Sequence, residues 1–396
     1  MRFFCRKYHL LNVEWVYLKT RIEKNPKAWN EVVDRSPYSV LFHRYELCEY
    51  ATNPLPLTIE EKNHRFLFPL NVVELMKTFR LATSPIYDYA SILPDSEEAV
   101  DLIPQALDHA INFLRELKID YLSTCVPPFW SKQYAFLLES WFREHNASVQ
   151  TMYAHIIETK NTTFEDIWRH RFEKHARGKV RKAEREGVSI IEIETEHDIY
   201  KWIEDIYECN LSALQRQNRQ GAYPDSNKEV YLSELVSDKR RLGQYFRIYG
   251  AIYHRHLIAY WIVHEYNKLM EVTKAMSHTR FLRKCPNDAT IAHIVKEACD
   301  KGMDLVEYGL DRVAVTANLR SIHSSIFNFK VKFGFKEIPI SIFRLGLTHR
   351  GKIIQYLYSA RECIIMGVGF MPESAKNLIF RLHAPRRRWL SRFLSG

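Results

Sequence analysis

The sequence predicts an α/β protein made of two related lobes, each a mixed β-sheet flanked by helices, followed by a basic C-terminal tail. Three observations lead to this. Helical and strand patterns alternate along most of the 396 residues, a length that favours two cores over one. A helix–strand–helix–strand order occurs twice, about 184 residues apart. The residues from Leu347 onward carry nine Lys/Arg against only Glu362 and Glu373.

In the first half, residues 97–117 form a helical pattern with Leu107, Ala110, Ile111, Leu114 and Leu117 facing inward. A strand over 118–125, a helix over 131–144 and a strand over 150–158 follow. The polar stretch at Lys160 marks a boundary, giving lobes of 1–160 and 161–346 and a tail of 347–396. The second lobe has an amphipathic helix over 197–217, with Ile199, Ile203, Ile206, Tyr207, Leu211 and Leu214 at helical spacing. Three β-rich runs, 245–252, 257–264 and 269–275, are separated by His254-Arg255 and Asn267-Lys268, breaks short enough for hairpins. A helix starts at Asn287-Asp288, faces its core with Ile291, Ile294, Val295 and Ala298, and stops at Gly302. A strand at 304–309, a helix at 321–333 and a strand at 336–345 complete the repeat.

Composition narrows the functional classes. The 7 Cys are scattered with no C-x-x-C spacing, which fits neither a disulfide framework nor a zinc cage and suits a reducing compartment. His254, His256 and His264 recur in the predicted meander without metal-ligand spacing, so no metal is expected. The N-terminal residues do not read as a signal peptide, and no apolar run is long enough to span a bilayer, so a cytoplasmic protein is expected. The net charge of +10 lies mainly in the tail and implies an anionic neighbour. Within the tail, residues 385–394 alternate basic and bulky side chains. As a helix they would set Trp389, Leu390, Phe393 and Leu394 against Arg387, Arg388 and Arg392, the composition of an interfacial anchor on anionic membrane or of a solvated basic tail.

Four short stretches carry a family resemblance. They are Ser39-Val40-Leu41-Phe42-His43-Arg44-Tyr45-Glu46-Leu47, Ser84-Pro85-Ile86-Tyr87-Asp88-Tyr89, Trp168 with Arg177-Gly178-Lys179-Val180-Arg181-Lys182-Ala183-Glu184-Arg185-Glu186-Gly187-Val188, and Glu307-Tyr308-Gly309 with Phe329-Lys330-Val331-Lys332-Phe333-Gly334. In this order they resemble the Fem-type branch of the GNAT acyltransferase superfamily, which includes peptidoglycan-bridge aminoacyl transferases. The resemblance implies tandem GNAT-like lobes and N-acyl transfer to an amine acceptor, in the setting of cell-envelope or lipid-linked precursors. The donor would be acyl-CoA or aminoacyl-tRNA. It further implies that Lys330 stabilises the oxyanion of acyl transfer, with Phe329 and Phe333 as aromatic walls. The sequence departs from the family in two places. The stretch 280–288, where a pyrophosphate-binding turn is expected, has no glycine, and the usual strand-end Asp is Glu307.

The residues themselves offer further candidates. Acylating an amine requires a proton acceptor, and Glu307, Glu271 and Asp311 suit the role, as they would suit salt bridges and helix caps. Tyr308 is placed either to donate to a leaving group or to pack in a core. Lys332 is expected to face solvent. Arg177, Arg181 and Arg185 fall on one helical face and form either a ridge for donor or tRNA phosphates or a solvated face paired with Glu184 and Glu186. Two functions follow: an N-acyltransferase, or an inert module that binds nucleic acid or anionic membrane.

Overall fold

The computed structural model describes residues 20–49, 53–75, 78–84, 90–126, 131–216, 227–311 and 320–369. The first half runs β1 (Arg21–Ile22), α1 (Pro26–Arg35), α2 (Tyr45–Cys48), β2 (Pro54–Glu61), β3 (His64–Leu75), β4 (Phe79–Thr83) and β5 (Leu93–Pro94). It closes with α3 (Ile103–Glu116), β6 (Tyr121–Cys125), α4 (Lys132–Glu144) and β7 (Ser148–Glu158). The second half begins with α5 (Phe164–His170), α6 (Lys174–Arg185), β8 (Ser189–Ile193), α7 (Glu196–Arg216) and α8 (Lys228–Leu242). Next come β9 (Phe246–Tyr253), β10 (His256–Tyr266), β11 (Leu269–Ser277), α9 (Pro286–Asp300), β12 (Leu305–Asp311), α10 (Arg320–Lys332) and β13 (Lys336–Gly346). A last helix, α11 (His349–Gly369), follows.

Most elements lie where the sequence places them. The two hairpin breaks are two-residue turns with positive φ at both positions (46° and 67° at His254-Arg255, 44° and 65° at Asn267-Lys268), the geometry that matches strand twist. The helix anticipated from residue 97 starts instead at Ile103, after a 3₁₀ turn over Val100–Leu102. Pro104 explains the shift, because a residue without an N–H fits best in a helix's first turn.

The repeat is fuller than the sequence suggested. Each half has an antiparallel meander (β2–β3–β4 and β9–β10–β11), then a helix, then a strand parallel to the last meander strand (β4 with β6, β11 with β12). Each half then adds a helix and a closing strand, and the closing strands are exchanged. The sheet order is β1-β2-β3-β4-β6-β13-β7-β12-β11-β10-β9-β8, with β5 beside β3. Thus β13 bonds to β6, β7 bonds to β12, and the two closing strands pair with each other from Lys336↔Ile156 to Arg344↔Ser148. Apolar side chains on both faces lock this seam. Phe343 of β13 stacks on Phe142 of α4 at 4.5 Å, and Ile340 and Ile342 share a core with Met152, Ala154 and Ile156 of β7 and with α7.

The tail expected from Leu347 onward begins as part of the fold. Helix α11 docks beside β6 and β13: Ile354 is buried, Tyr358 stacks on Tyr121, and Gln355 accepts from Gly346 N–H (2.7 Å) and donates to Asn146 O (2.8 Å). Gly351 permits the approach, since a Cβ there would lie 1.6 Å from Asp120 O.

Strand exchange makes a definite prediction. Residues 1–160 and 161–396, expressed separately, should each fail to give a cooperative unfolding transition, because each would lack its neighbour's closing strand. Co-expression should restore a complex that unfolds as one unit, as read by circular dichroism and size exclusion.

Candidate active site

The site forms where two strands separate. β11 and β12 share three register pairs, ending at Glu271↔Glu307. Beyond that, β11 runs on to Ser277 beside β10, and β12 runs on to Asp311 beside β7. The two carboxylates therefore lie at the apex of a wedge in the sheet.

Parallel strands in register point paired residues to the same face. Met270, Val272 and Val306 pack into the core beneath α9, so alternation sends Glu271 and Glu307 to the opposite face, towards α7. Across the strands, His264 pairs with Glu271, and the row runs from Phe246 at one side through Ile156 to Lys336 at the other. Both glutamates are buried. Burial, reinforced by the neighbouring Glu307, holds the Glu271 carboxyl well above the usual carboxylate range. The pair therefore resists carrying two negative charges and retains a proton where isolated glutamates would not. Burial also pushes the His264 imidazole down to about 4, and its shielded Nδ1 has no hydrogen-bond partner.

A β-bulge extends this face along β11. Val263 pairs with Val272 and Ile262 with Lys274, leaving Thr273 as the extra residue, so Lys274 points the same way as Glu271. The Lys274 ammonium lies 4.3 Å from the centroid of the Tyr231 ring, and the Tyr231 and Tyr260 hydroxyls are 2.6 Å apart. Tyr260 in turn donates to Asn210 Oδ1 at 3.4 Å, while the fully buried Asn210 Nδ2 has no partner. The sequence gives no hint of this wall, because its members come from α7, α8, β10 and β11 with no common spacing.

The residues expected at the site divide between the two faces. Tyr308, next to Glu307, turns to the α9 side, where its ring is 5.0 Å from Trp261 and 6.3 Å from Phe329. The buried Lys330 places its ammonium 5.1 Å from the Tyr308 ring centroid. Phe329 stands in this cluster, but Phe333 is core: it is fully buried and 5.0 Å from Phe172. Lys332, expected to face solvent, is buried in an ion pair with Asp288 and lies over the Phe329 ring. Helix α10 ends at Gly334, whose φ of +79° and close approach to Arg171 account for the final glycine of that motif. Asp311 ends β12.

Of the three arginines of the ridge, Arg177 is tied into the fold. Arg177 Nη1 donates to the carbonyls of Trp168 (2.9 Å), Arg169 (2.7 Å) and Phe172 (3.1 Å), capping the end of α5. Arg181 lies over the Trp168 ring, and Arg185 is exposed. The opposite side of α6 packs Ala176, Val180 and Ala183 towards α9 and the sheet. The glycine-free stretch forms a 3₁₀ turn over Thr279–Lys284 and a left-handed Cys285 before α9. The amides of Arg280, Phe281 and Cys285 are bonded within the turn and Pro286 has none, while Asn287 and Asp288 stand in the first turn of α9, where a helix leaves its amides without intrahelical partners. Cations lie beside this turn: Lys332 and its neighbour Lys179, and Lys284 paired with Glu186. Residues 85–89, in the second resemblance stretch, lie outside the described residues. In the first stretch, His43 is structural: its Nδ1 accepts from Val40 N–H at 3.0 Å and its Nε2 meets Ser91 O at 3.2 Å.

Tandem meanders, a parallel strand that splits away and exchanged closing strands make up a fold that is GNAT-like and Fem-like. Residues 170–312 match the family model of the acetyltransferase (GNAT) domain. The structure is similar to that of FemX, with a TM-score of 0.61 and 10% identity, covering 82% of this chain and 96% of FemX. It is also similar to L-PGS from Bacillus licheniformis, with a TM-score of 0.55 and 9% identity over 85% of this chain and 96% of that one. A conserved protein of unknown function from Bacteroides thetaiotaomicron gives a TM-score of 0.52 at 10% identity, covering 83% of this chain and all of its own (100%). No curated protein sequence matches the chain. Among the described residues no helix is long and apolar enough to cross a membrane, and no cluster of three or more His, Cys, Asp or Glu is placed to hold a metal ion.

Two outcomes follow from the buried ionisable groups. Glu271 has a raised pKa in the fold, so above the ordinary carboxylate range the unfolded chain sheds a proton that the native state keeps, which disfavours folding. Glu271→Gln should therefore raise the Tm at pH 8, and the gain should shrink towards pH 4.5. His43 and His264 behave in the opposite sense. Both are pushed down to about 4 by burial, so their contribution is complete above pH 6.5 and is lost as pH falls towards 4. Urea unfolding should show this loss, about 3 kcal/mol for each ring at the acid limit, and His264→Gln should flatten part of it.

Proposed function

We propose that this protein transfers an acyl or aminoacyl group from an activated donor to an amine, at the wedge between β11 and β12. The observation that carries this reading is the buried Glu271–Glu307 pair at the apex. An inert binding module would gain nothing from two adjacent desolvated carboxyls, whereas amine acylation requires a proton acceptor whose pKa lies near that of the working pH. The ammonium form of the acceptor gives its proton to the ionised member of the pair. The freed lone pair attacks the donor's acyl carbon, a C–N bond forms, and the thioester or ester bond to the leaving group breaks. The proton lost from the new amide nitrogen goes to the leaving group or to water. Lys330, on the other face of the split, is the cation that meets the oxygen on which charge develops. Tyr308, Trp261 and Phe329 form the apolar wall that strengthens that charge interaction.

Acyl-CoA and aminoacyl-tRNA both supply such an acyl group. Donor phosphates would be held near the turn before α9, with side-chain cations such as Lys179 beside it. Calorimetric titration with acetyl-CoA and longer acyl-CoAs, and with charged tRNA, separates the two. In single-turnover assays with the donor that binds, Lys330→Met should lower the rate by about 10²–10³-fold with an unchanged circular dichroism spectrum. The wild-type rate should rise with pH as the carboxyl pair loses its proton, and Glu271→Gln should abolish that rise. Full activity in both variants would remove the assignment.

A further inference from the structure

Helix α11 presents a second, unassigned surface. Its inner side is fixed to β6 and β13 by Gly351, Ile354, Gln355 and Tyr358, as described above. Its outer side leaves three large side chains in solvent, one helical turn apart: Ile353 (51% exposed), Tyr356 (75%) and Leu357 (63%). Single exposed apolar residues are ordinary; three adjacent ones on a docked helix form a patch. Arg350 and Lys352 are exposed at the same end of the helix. The chain then continues from α11 into 27 further residues containing Lys376, Arg381, Arg386, Arg387, Arg388 and Arg392 against a single acid, Glu373.

We propose that the outer face of α11, with Arg350 and Lys352 beside it, seats the protein on an anionic lipid surface. The pairing of chemistries selects the partner. An apolar stripe at i, i+3 and i+4 inserts among acyl chains at the headgroup boundary, and flanking Arg and Lys lie level with anionic headgroups. A nucleic-acid partner would use the charges but would leave Ile353, Tyr356 and Leu357 in water. A second copy of this chain would bring the same excess of seven positive charges from residues 347–396 against its own kind. One apolar signal or one basic cluster gives only weak, reversible attachment; the two in sequence give a stable one.

The test is co-sedimentation of the full chain with vesicles of phosphatidylcholine alone and with 30% phosphatidylglycerol. Binding should require the anionic lipid and weaken with salt. Tyr356→Ser/Leu357→Ser, at exposed positions that leave docking intact, should weaken it by about tenfold. Arg350→Ala/Lys352→Ala should weaken it by about tenfold as well. Equal binding to both vesicles, or wild-type affinity in the Tyr356/Leu357 variant, would overturn the proposal. So would a dimer in analytical ultracentrifugation that the Tyr356/Leu357 variant dissolves, or RNA binding that this variant abolishes while vesicles are ignored. Circular dichroism melting of each variant verifies that the fold is retained.

Discussion

The ladder between β7 and β13 is the constraint on which the rest of the molecule depends. It joins the closing strand of one half to the closing strand of the other and makes a single sheet of what would otherwise be two. Each half buries its final strand in the other, so neither core is complete alone. The ladder also sets the position of β12, because β7 supplies its second partner once it parts from β11. Without that partner the backbone N–H and C=O groups of β12 beyond Glu307 would face a gap in the sheet, at a cost no active-site wedge could sustain. The wedge can open because β7 satisfies the strand that leaves.

The same geometry explains the unusual electrostatics at the apex. Two glutamates paired on neighbouring strands at the last shared register are both buried, and that burial keeps water from screening their repulsion. The Glu271 carboxyl is raised above the ordinary carboxylate range as a result, at a cost to stability. Strain of this kind is tolerated only where the surrounding structure over-determines it.

Much of the fold is legible in the sequence. The β9–β10–β11 meander and α7 can be read because their apolar periods are long and their turn residues are distinctive, and α9 because its inward positions recur at helical spacing. Strand exchange is not legible: β7 and β13 look like ordinary closing strands, and only long-range pairing determines which half each one completes. The site is legible in part. Glu307, Glu271, Tyr308 and Lys330 can be singled out from residue type and from the resemblance, but which face each one takes depends on strand alternation and on the bulge at Thr273. Lys274, Tyr231, Tyr260 and Asn210 leave no signal, because the structure brings them together from four elements.

What the resemblance stretches encode is chiefly architecture. His43 bonds its own turn, Arg177 caps α5, Ala176, Val180 and Ala183 let α6 approach its neighbours, and Gly334 turns the chain where no Cβ fits. These residues define how two lobes join, and they say little about what the lobes hold. In the acyl transfer proposed above, substrate choice would then rest with the side chains outside the shared stretches that line the α7 face of the wedge. This directs attention to the wall of Lys274, Tyr231, Tyr260 and Asn210, where a buried amide donor without a partner is the kind of group that a substrate carbonyl or carboxylate would satisfy.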